Sequence, residues 1–302
     1  MPPLVVIPWP AGAGGCRTSN NCVRPQVLRA GRRVATIFMV ALISVAVAAA
    51  WQRGSAHEVS SRCPHQKLAG SHALKELCTS LLAANAAAGV SPTASLFVDV
   101  GAAYASESLL AHAFGHPVLA LECRKEEYDT LLRTRPPRGF AGLSNITLRH
   151  SCASDTVGLA MLYRAGDSSS LVKSAVVGGA QGEKALKERH KTERVRLETL
   201  DNITSVEALR HLGVDRVGFI KIDTQGAEEA ILRGASATVV RDRPSILYED
   251  TFTPYGPRRG GGLAAHATGT HFRCNCPSTS EHDQEPRDGK STWGNCFCLP
   301  ST

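Results

Sequence analysis

Five carboxylates stand where chemistry could be done: Asp99, Glu122, Asp155, Asp223 and Glu249. Asp99 closes the apolar run Leu96–Val98, and Gly101 follows it before a helical pattern from Ser106 to Phe114. A strand, a glycine turn and a helix bring backbone N–H groups and a helix N-terminus up to a ligand. That signal alone is as common in plain α/β packing as in ligand sites. Glu122 adds weight, because it ends the next apolar run, VLALE, and an acid at that tip can accept hydrogen bonds from both ribose hydroxyls. The pair suits a nucleoside-bearing cofactor. Asp223 and Glu249 end VGFIKID and SILYE, and Asp155 lies just beyond NITLRH, so all five acids can line one crevice at the carboxyl edge of a parallel sheet.

The elements that must hold these acids follow from hydrophobic period and turn residues. Strands are expected at 96–99, 118–122, 145–150, 159–163, 194–199, 217–223 and 245–249, with two closing strands at 270–276 and 293–299. Helices are expected at 68–88, 106–114, 126–133, 205–212 and 227–233, the last closed by Gly234. Apolar strands alternating with helices argue a mostly parallel sheet covered on both faces. Residues 135–142 read as a Pro/Gly loop. The polar stretch 164–193 is either a solvated surface loop or a lid over an acceptor site.

The N-terminus differs in character. Six arginines and no acid lie in residues 1–54, leaving 28 basic against 27 acidic side chains for the rest, although the whole chain carries +7. A nearly neutral folded region gives no electrostatic footprint for nucleic acid. Residues 1–33 are expected to be a disordered basic tail, and Val34–Trp51 is eighteen residues without a charge behind Arg29, Arg32 and Arg33. Such a segment can just cross a bilayer as a signal-anchor with a cytosolic N-terminus, facing the secretory or Golgi lumen. Organelle targeting, cleavage after Ala48–Ala50 followed by secretion, and a core helix are the competing readings. Residues 52–90 then form a stem and capping helix, and 91–302 the catalytic-type domain.

Ten cysteines and the sequons at Asn145 and Asn202 are compatible with a luminal setting. Cys274, Cys276, Cys296 and Cys298 form two C-x-C pairs whose period of two puts each pair on one face. Disulfides, buried thiols and a zinc site all remain open, zinc being disfavoured by the spacing. His116 and His150 read as packing or surface residues, and no metal-ligand pattern includes a histidine.

FVDVGA, ALE, NITLRHSCASD, LETLD, FIKIDTQGAEEAILRGA and ILYE, in that order, resemble the FkbM-type family of S-adenosylmethionine-dependent methyltransferases. The resemblance implies a Rossmann-like class I methyltransferase fold, α/β, with a mostly parallel seven-stranded sheet and an antiparallel closing strand, here behind an N-terminal transmembrane helix. It implies cofactor contacts at Asp99, Gly101, Ala103, Glu122, Ser154 and Asp155, with Asp223 beside the methyl group. Methyl transfer from a sulfonium is an in-line displacement, so the protein aligns the reactants and accepts a proton. Asp223 is the first candidate for that base or orienting acid and Glu249 the second. Lys221, two residues before Asp223, reads as an ion-pair partner. The expected reaction is O-methylation of a glycan or small-molecule acceptor. The family's usual DVGAN-x-G carries alanines here at 103 and 105, and its usual Glu is replaced by Gln225. Two other readings stay open: an NAD-dependent Rossmann oxidoreductase, which would want a fuller G-x-G-x-x-G, and a membrane-tethered binding module without catalysis.

Overall fold

The computed structural model describes residues 72–89, 91–133, 145–164, 169–171, 192–250, 268–276 and 294–301, all within the unit Met39–Thr302. The expected membrane span at 34–51, the loop at 135–142 and most of the stretch 164–193 lie outside these residues. Among the described residues no helix is long and apolar enough to cross a membrane.

A helix α1 (His72–Ala88) precedes strand β1 (Ser95–Val100), helix α2 (Ser106–Ala113), β2 (Val118–Glu122), α3 (Lys125–Arg133), β3 (Ile146–His150) and the two-residue β4 (Cys152–Ala153). The chain continues through β5 (Gly158–Tyr163), β6 (Thr192–Glu198), α4 (Leu200–Ile203), α5 (Val206–His211) and β7 (Arg216–Ile222). It ends with α6 (Glu228–Arg233), α7 (Ser236–Asp242), β8 (Ser245–Asp250), β9 (Phe272–Asn275) and β10 (Gly294–Pro300).

Seven strands form one sheet in the order β3-β2-β1-β7-β8-β10-β9. Pairing is parallel from β3 to β8, whereas β10 runs antiparallel to both β8 and β9. This is the Rossmann-like methyltransferase arrangement, with the antiparallel strand inserted between β8 and β9. The reversal of strand order beside β1 opens a crevice at the carboxyl ends of β1, β2 and β7, where ligands of such sheets sit. A second sheet, β4-β6-β5, stands beside the β2 and β3 tips.

Both faces of the large sheet are covered, which explains the unbroken apolar strands. Leu74, Leu77, Cys78, Leu81 and Ala84 recur at helical spacing on α1 and pack with Phe97, Phe219 and Leu247. Phe97 and Phe219 stack with ring centroids 5.3 Å apart, and Phe219 and Phe297 follow at 6.2 Å. The alternate residues, Leu96, Val98, Val100, Ile220 and Ile222, meet Leu200, Ile231, Leu232 and Val239 on the other face.

Most expected elements stand within a few residues of their sequence positions, whereas β4, α4 and α7 are elements the sequence reading does not contain, and α7 shows why. Its amides are capped from a distance: the Asp201 carboxylate accepts from Ala237 N at 3.1 Å and from Thr238 N at 2.7 Å. No neighbouring residue announces that start.

The four C-terminal cysteines resolve into two disulfides, Cys274–Cys298 and Cys276–Cys296, which staple β9 to β10. The buried-thiol and zinc readings fall with that pairing. A third disulfide, Cys123–Cys152, joins the residue after β2 to β4, and Cys78 is disulfide-bonded as well.

Candidate active site

The crevice opens as a cleft of about 280 Å³ walled by the turn after β1, the tip of β2, β4 and the segment after β7. Gly101 turns the chain at φ +83°, and a side chain there would place Cβ 2.0 Å from the backbone oxygen of Asp223. Only glycine fits, because the end of β7 crosses directly against the turn. Gly101 N and Ala102 N both donate to Leu121 O at 3.0 Å, and Asp223 N donates to Val100 O at 3.0 Å, so the three strand tips are locked together.

Glu122 is buried at the cleft wall. Its Oε2 accepts from Ala103 N at 2.8 Å and its Oε1 from Arg124 N at 2.8 Å. Ala103 thus contributes a backbone donor that fixes the acid. Ala103 and Ala105 both adopt left-handed backbone, at φ 44° and 55°, where an asparagine and a glycine would sit with less strain. Ala105 serves as N-cap of α2 without a side-chain hydrogen bond.

A row of ionisable groups runs along the floor. Lys221, buried, lies between Asp99 Oδ1 at 3.4 Å and Asp223 Oδ2 at 3.6 Å. Burial alone would lower its pKa, but the carboxylates of Asp99, Glu107 and Asp223 outweigh that and hold it well above the ordinary lysine value. Gln225 bridges the next pair, its Nε2 donating to Asp223 Oδ1 at 3.2 Å and to Glu249 Oε2 at 2.6 Å. Burial and the adjacent Asp223 charge push Glu249 up to about 9, so it carries a proton at neutral pH. Burial also opposes ionisation of Asp223, yet Lys221 and the hydrogen bonds from Glu249 and Gln225 hold its carboxyl below the usual range. The outcome is a charged Asp223 hydrogen-bonded to a protonated Glu249, like charges this close not both being ionised.

Glu228, within the GAE triplet, holds the loop carrying Gln225. Its Oε1 accepts from Thr224 N, Thr224 Oγ1 and Gly226 N, each at 3.1 Å. Ser170 adds an outer tie, donating to Gln225 O at 2.7 Å, and Ser169–Leu171 border the cleft. Among the described residues of the expected loop, these three reach it.

Gly101, Ala103, Glu122 and Asp223 therefore meet at one cleft, with Glu249 bonded to it through Gln225. Asp99 stands behind them: it is fully buried and bound to Ser108 Oγ at 2.7 Å and to Lys221, so it acts through the lysine. Ser154 and Asp155 are not among the cleft-lining residues. Asp155 is drawn to α6, where Arg233 Nη2 and Nε donate to its Oδ2 at 2.8 and 3.1 Å; that guanidinium keeps its carboxyl low. Cys152 and Ala153 line the cleft instead.

Sequence reasoning missed Glu107, Tyr104 and Arg124, all at the cleft. Glu107, whose pKa is raised by burial and then by Asp99 against the pull of Lys221, is an acid in the first turn after the glycine turn, a signal that was present. His116 is buried with Nδ1 3.1 Å from Ser95 O, and His150 stacks on Tyr128 at 5.0 Å; neither borders the cleft. Among the described residues no group of three His, Cys, Asp or Glu side chains is placed to hold a metal ion.

The model of the methyltransferase FkbM domain matches residues 99–284, more than half of the chain. No curated protein matches. Solved structures that resemble it include a methyltransferase FkbM from Methylobacillus flagellatus KT, 16% identical, covering 69% of this chain and 44% of that one at a TM-score of 0.41. A precorrin-6y C5,15-methyltransferase from Geobacter metallireducens GS-15 is 14% identical, covering 69% of this chain and 80% of that one at a TM-score of 0.33. The chain spans less than half the length of the Methylobacillus protein. With the matched span beginning at Asp99 and taking in the Gly101 turn, Glu122, the KID-x-x-GAE segment and Glu249, the chain belongs to the FkbM methyltransferase domain family.

Proposed function

We propose that this protein is an S-adenosylmethionine-dependent methyltransferase that O-methylates a glycan or small-molecule acceptor by in-line displacement. The observation that carries the reading is the meeting of the Gly101 turn and the Glu122 tip with Asp223 and Gln225 in a single cleft, Gln225 tying Glu249 to Asp223 behind it. The residues present fit a nucleoside-bearing sulfonium donor. The Gly101 turn and the Glu122 tip both border the cleft, and each Glu122 oxygen accepts one backbone N–H while keeping a lone pair for a ribose hydroxyl. When bound, S-adenosylmethionine supplies an electrophilic methyl group on a cationic sulfur.

The chain's own residues do the rest. Asp223 is the charged carboxylate beside the cleft and accepts the proton of the acceptor hydroxyl. Glu249 keeps its own proton and stabilises Asp223 by hydrogen bonding, while Gln225 fixes the spacing of the two. Lys221 holds the negative charge of Asp223 in place without leaving the floor. Support for a glycan acceptor and for a single-pass membrane protein facing the secretory lumen comes from the sequence, through the apolar stretch 34–51, its arginine flank and the sequons.

The left-handed Ala103 and Ala105 favour a second reading, a binding module whose cofactor affinity has declined. Calorimetric titration of the folded chain with S-adenosylmethionine, with NAD as control, separates the readings. Donor binding alone supports the proposal, NAD binding favours an oxidoreductase, and binding of neither favours the module.

A further inference from the structure

Cys123 and Cys152 both line the cleft, and their disulfide is the one among those described that joins the two sheets there. Cys123 sits between Glu122 and Arg124. Its neighbours are tied together, Arg124 N donating to Glu122 Oε1 at 2.8 Å, and its own carbonyl lies 3.1 Å from His150 Nε2. On the other side Cys152 is 2% exposed and belongs to a small core of Leu162, Val195 and Leu197. Its β4 neighbourhood pairs with β6, and β5 in turn bridges to Ser170 at the cleft.

We propose that the Cys123–Cys152 disulfide is a thiol-exchange site that controls donor binding, an inference that rests on the cleft being the S-adenosylmethionine site. A dithiol supplies the chemistry. Its thiolate attacks Cys123 Sγ, the half-buried sulfur; the Sγ–Sγ bond breaks, and Cys152 leaves as a thiolate that takes up a proton. The second thiol of the reagent then closes on the mixed disulfide and frees Cys123, so the protein gains two thiols and the dithiol becomes a disulfide.

Breaking the bond has a geometric consequence. Bonded sulfurs are about 2 Å apart, whereas unbonded heavy atoms need roughly 3.5–4 Å, so about 1.5 Å of separation must be found. Close-packed interiors do not yield such distances. Cys123 packs against the same core as Cys152 but from its less buried, cleft-facing side, so the displacement falls on Cys123 and on the Glu122–Arg124 tip beside it. That tip carries the carboxylate assigned to the ribose, and a displacement of this size at a polar contact weakens the ligand. The disulfides between β9 and β10 bear on neither residue.

The test is calorimetric binding of S-adenosylmethionine to the full-length chain, oxidised and after dithiothreitol, with alkylation and peptide mapping to confirm which cysteines are reduced. The expected result is a loss of affinity of tenfold or more on reduction. A Cys123→Ser, Cys152→Ser double variant should bind weakly under both conditions and respond no further to dithiothreitol. Near-ultraviolet circular dichroism checks its fold, and the reduction of the unmodified chain keeps the test decisive if the variant does not fold. Equal affinity before and after verified reduction of this pair overturns the inference, as does a double variant that still loses affinity on reduction. Failure of the oxidised chain to bind the donor at all overturns the proposed function and this inference with it.

Discussion

Replacing Gly101 with alanine separates conformational strain from steric crowding, because the structure supplies an internal control. At Gly101 the backbone has φ +83° and a Cβ would stand 2.0 Å from Asp223 O and 3.0 Å from Asp223 C. At Gly213 the backbone is also left-handed, φ +70°, yet nothing lies within 4 Å of the same Cβ. Left-handed backbone costs an L-residue roughly 1–2 kcal/mol, offset by about 0.4–1 kcal/mol from the stiffer unfolded chain. Both variants share those terms. Only Gly101→Ala must also part β1 from the end of β7, an overpacking cost of roughly 1–3 kcal/mol. Urea denaturation should therefore show Gly101→Ala less stable than Gly213→Ala by about that difference. Because the displaced atom is the carbonyl of Asp223, donor affinity should fall at least tenfold in Gly101→Ala and stay unchanged in Gly213→Ala. Equal stability losses in the two variants would refute the crossing of turn and strand.

Three further outcomes concern the ionisable groups, two on the charged floor and one outside the cleft. Lys221→Met leaves Asp99 buried without its cation and should cost about 3–5 kcal/mol in urea denaturation; adding Asp99→Asn should recover much of it. Glu249, pushed up to about 9 from an ordinary 4.5, binds its proton more tightly in the folded state. Its contribution to stability is complete below pH 4.5 and declines as pH rises to about 9. Thermal melts should then show Glu249→Gln gaining on the unmodified protein across that window, and a constant Tm difference would contradict the assignment. Asp155→Asn should leave donor affinity within about twofold and cost less than about 1 kcal/mol, since it loses only a partly exposed pair with Arg233.

Local pattern carried most of the architecture. The strands alternate with helices, and Gly101 and Glu122 are read from type and position because a turn and a strand tip are local features. The Lys221 pairing was foreseeable too, since residues two apart on a strand share a face. What escaped depends on contacts between distant segments. Asp201 caps α7 across 36 positions, and Arg233 captures Asp155 across 78. The bridge made by Gln225 to Asp223 and Glu249 requires the register of β7 against β8, which the sequence does not state. Ala103 and Ala105 depart from the family's motif, and their left-handed backbone gives that departure its physical cost. The cysteine pairing was undecidable from spacing alone, because the antiparallel register of β9 and β10 selects it.

The claim on which the rest depends is that the donor occupies the cleft between the Gly101 turn and the Glu122 tip. Ultraviolet crosslinking of methyl-labelled S-adenosylmethionine to the folded chain, followed by peptide mapping, tests it directly. Label on the peptides holding Tyr104 or the Cys123–Arg124 segment, displaced by excess unlabelled donor and lost in Glu122→Ala, is the result expected. Displaceable label confined to peptides away from this cleft would contradict it.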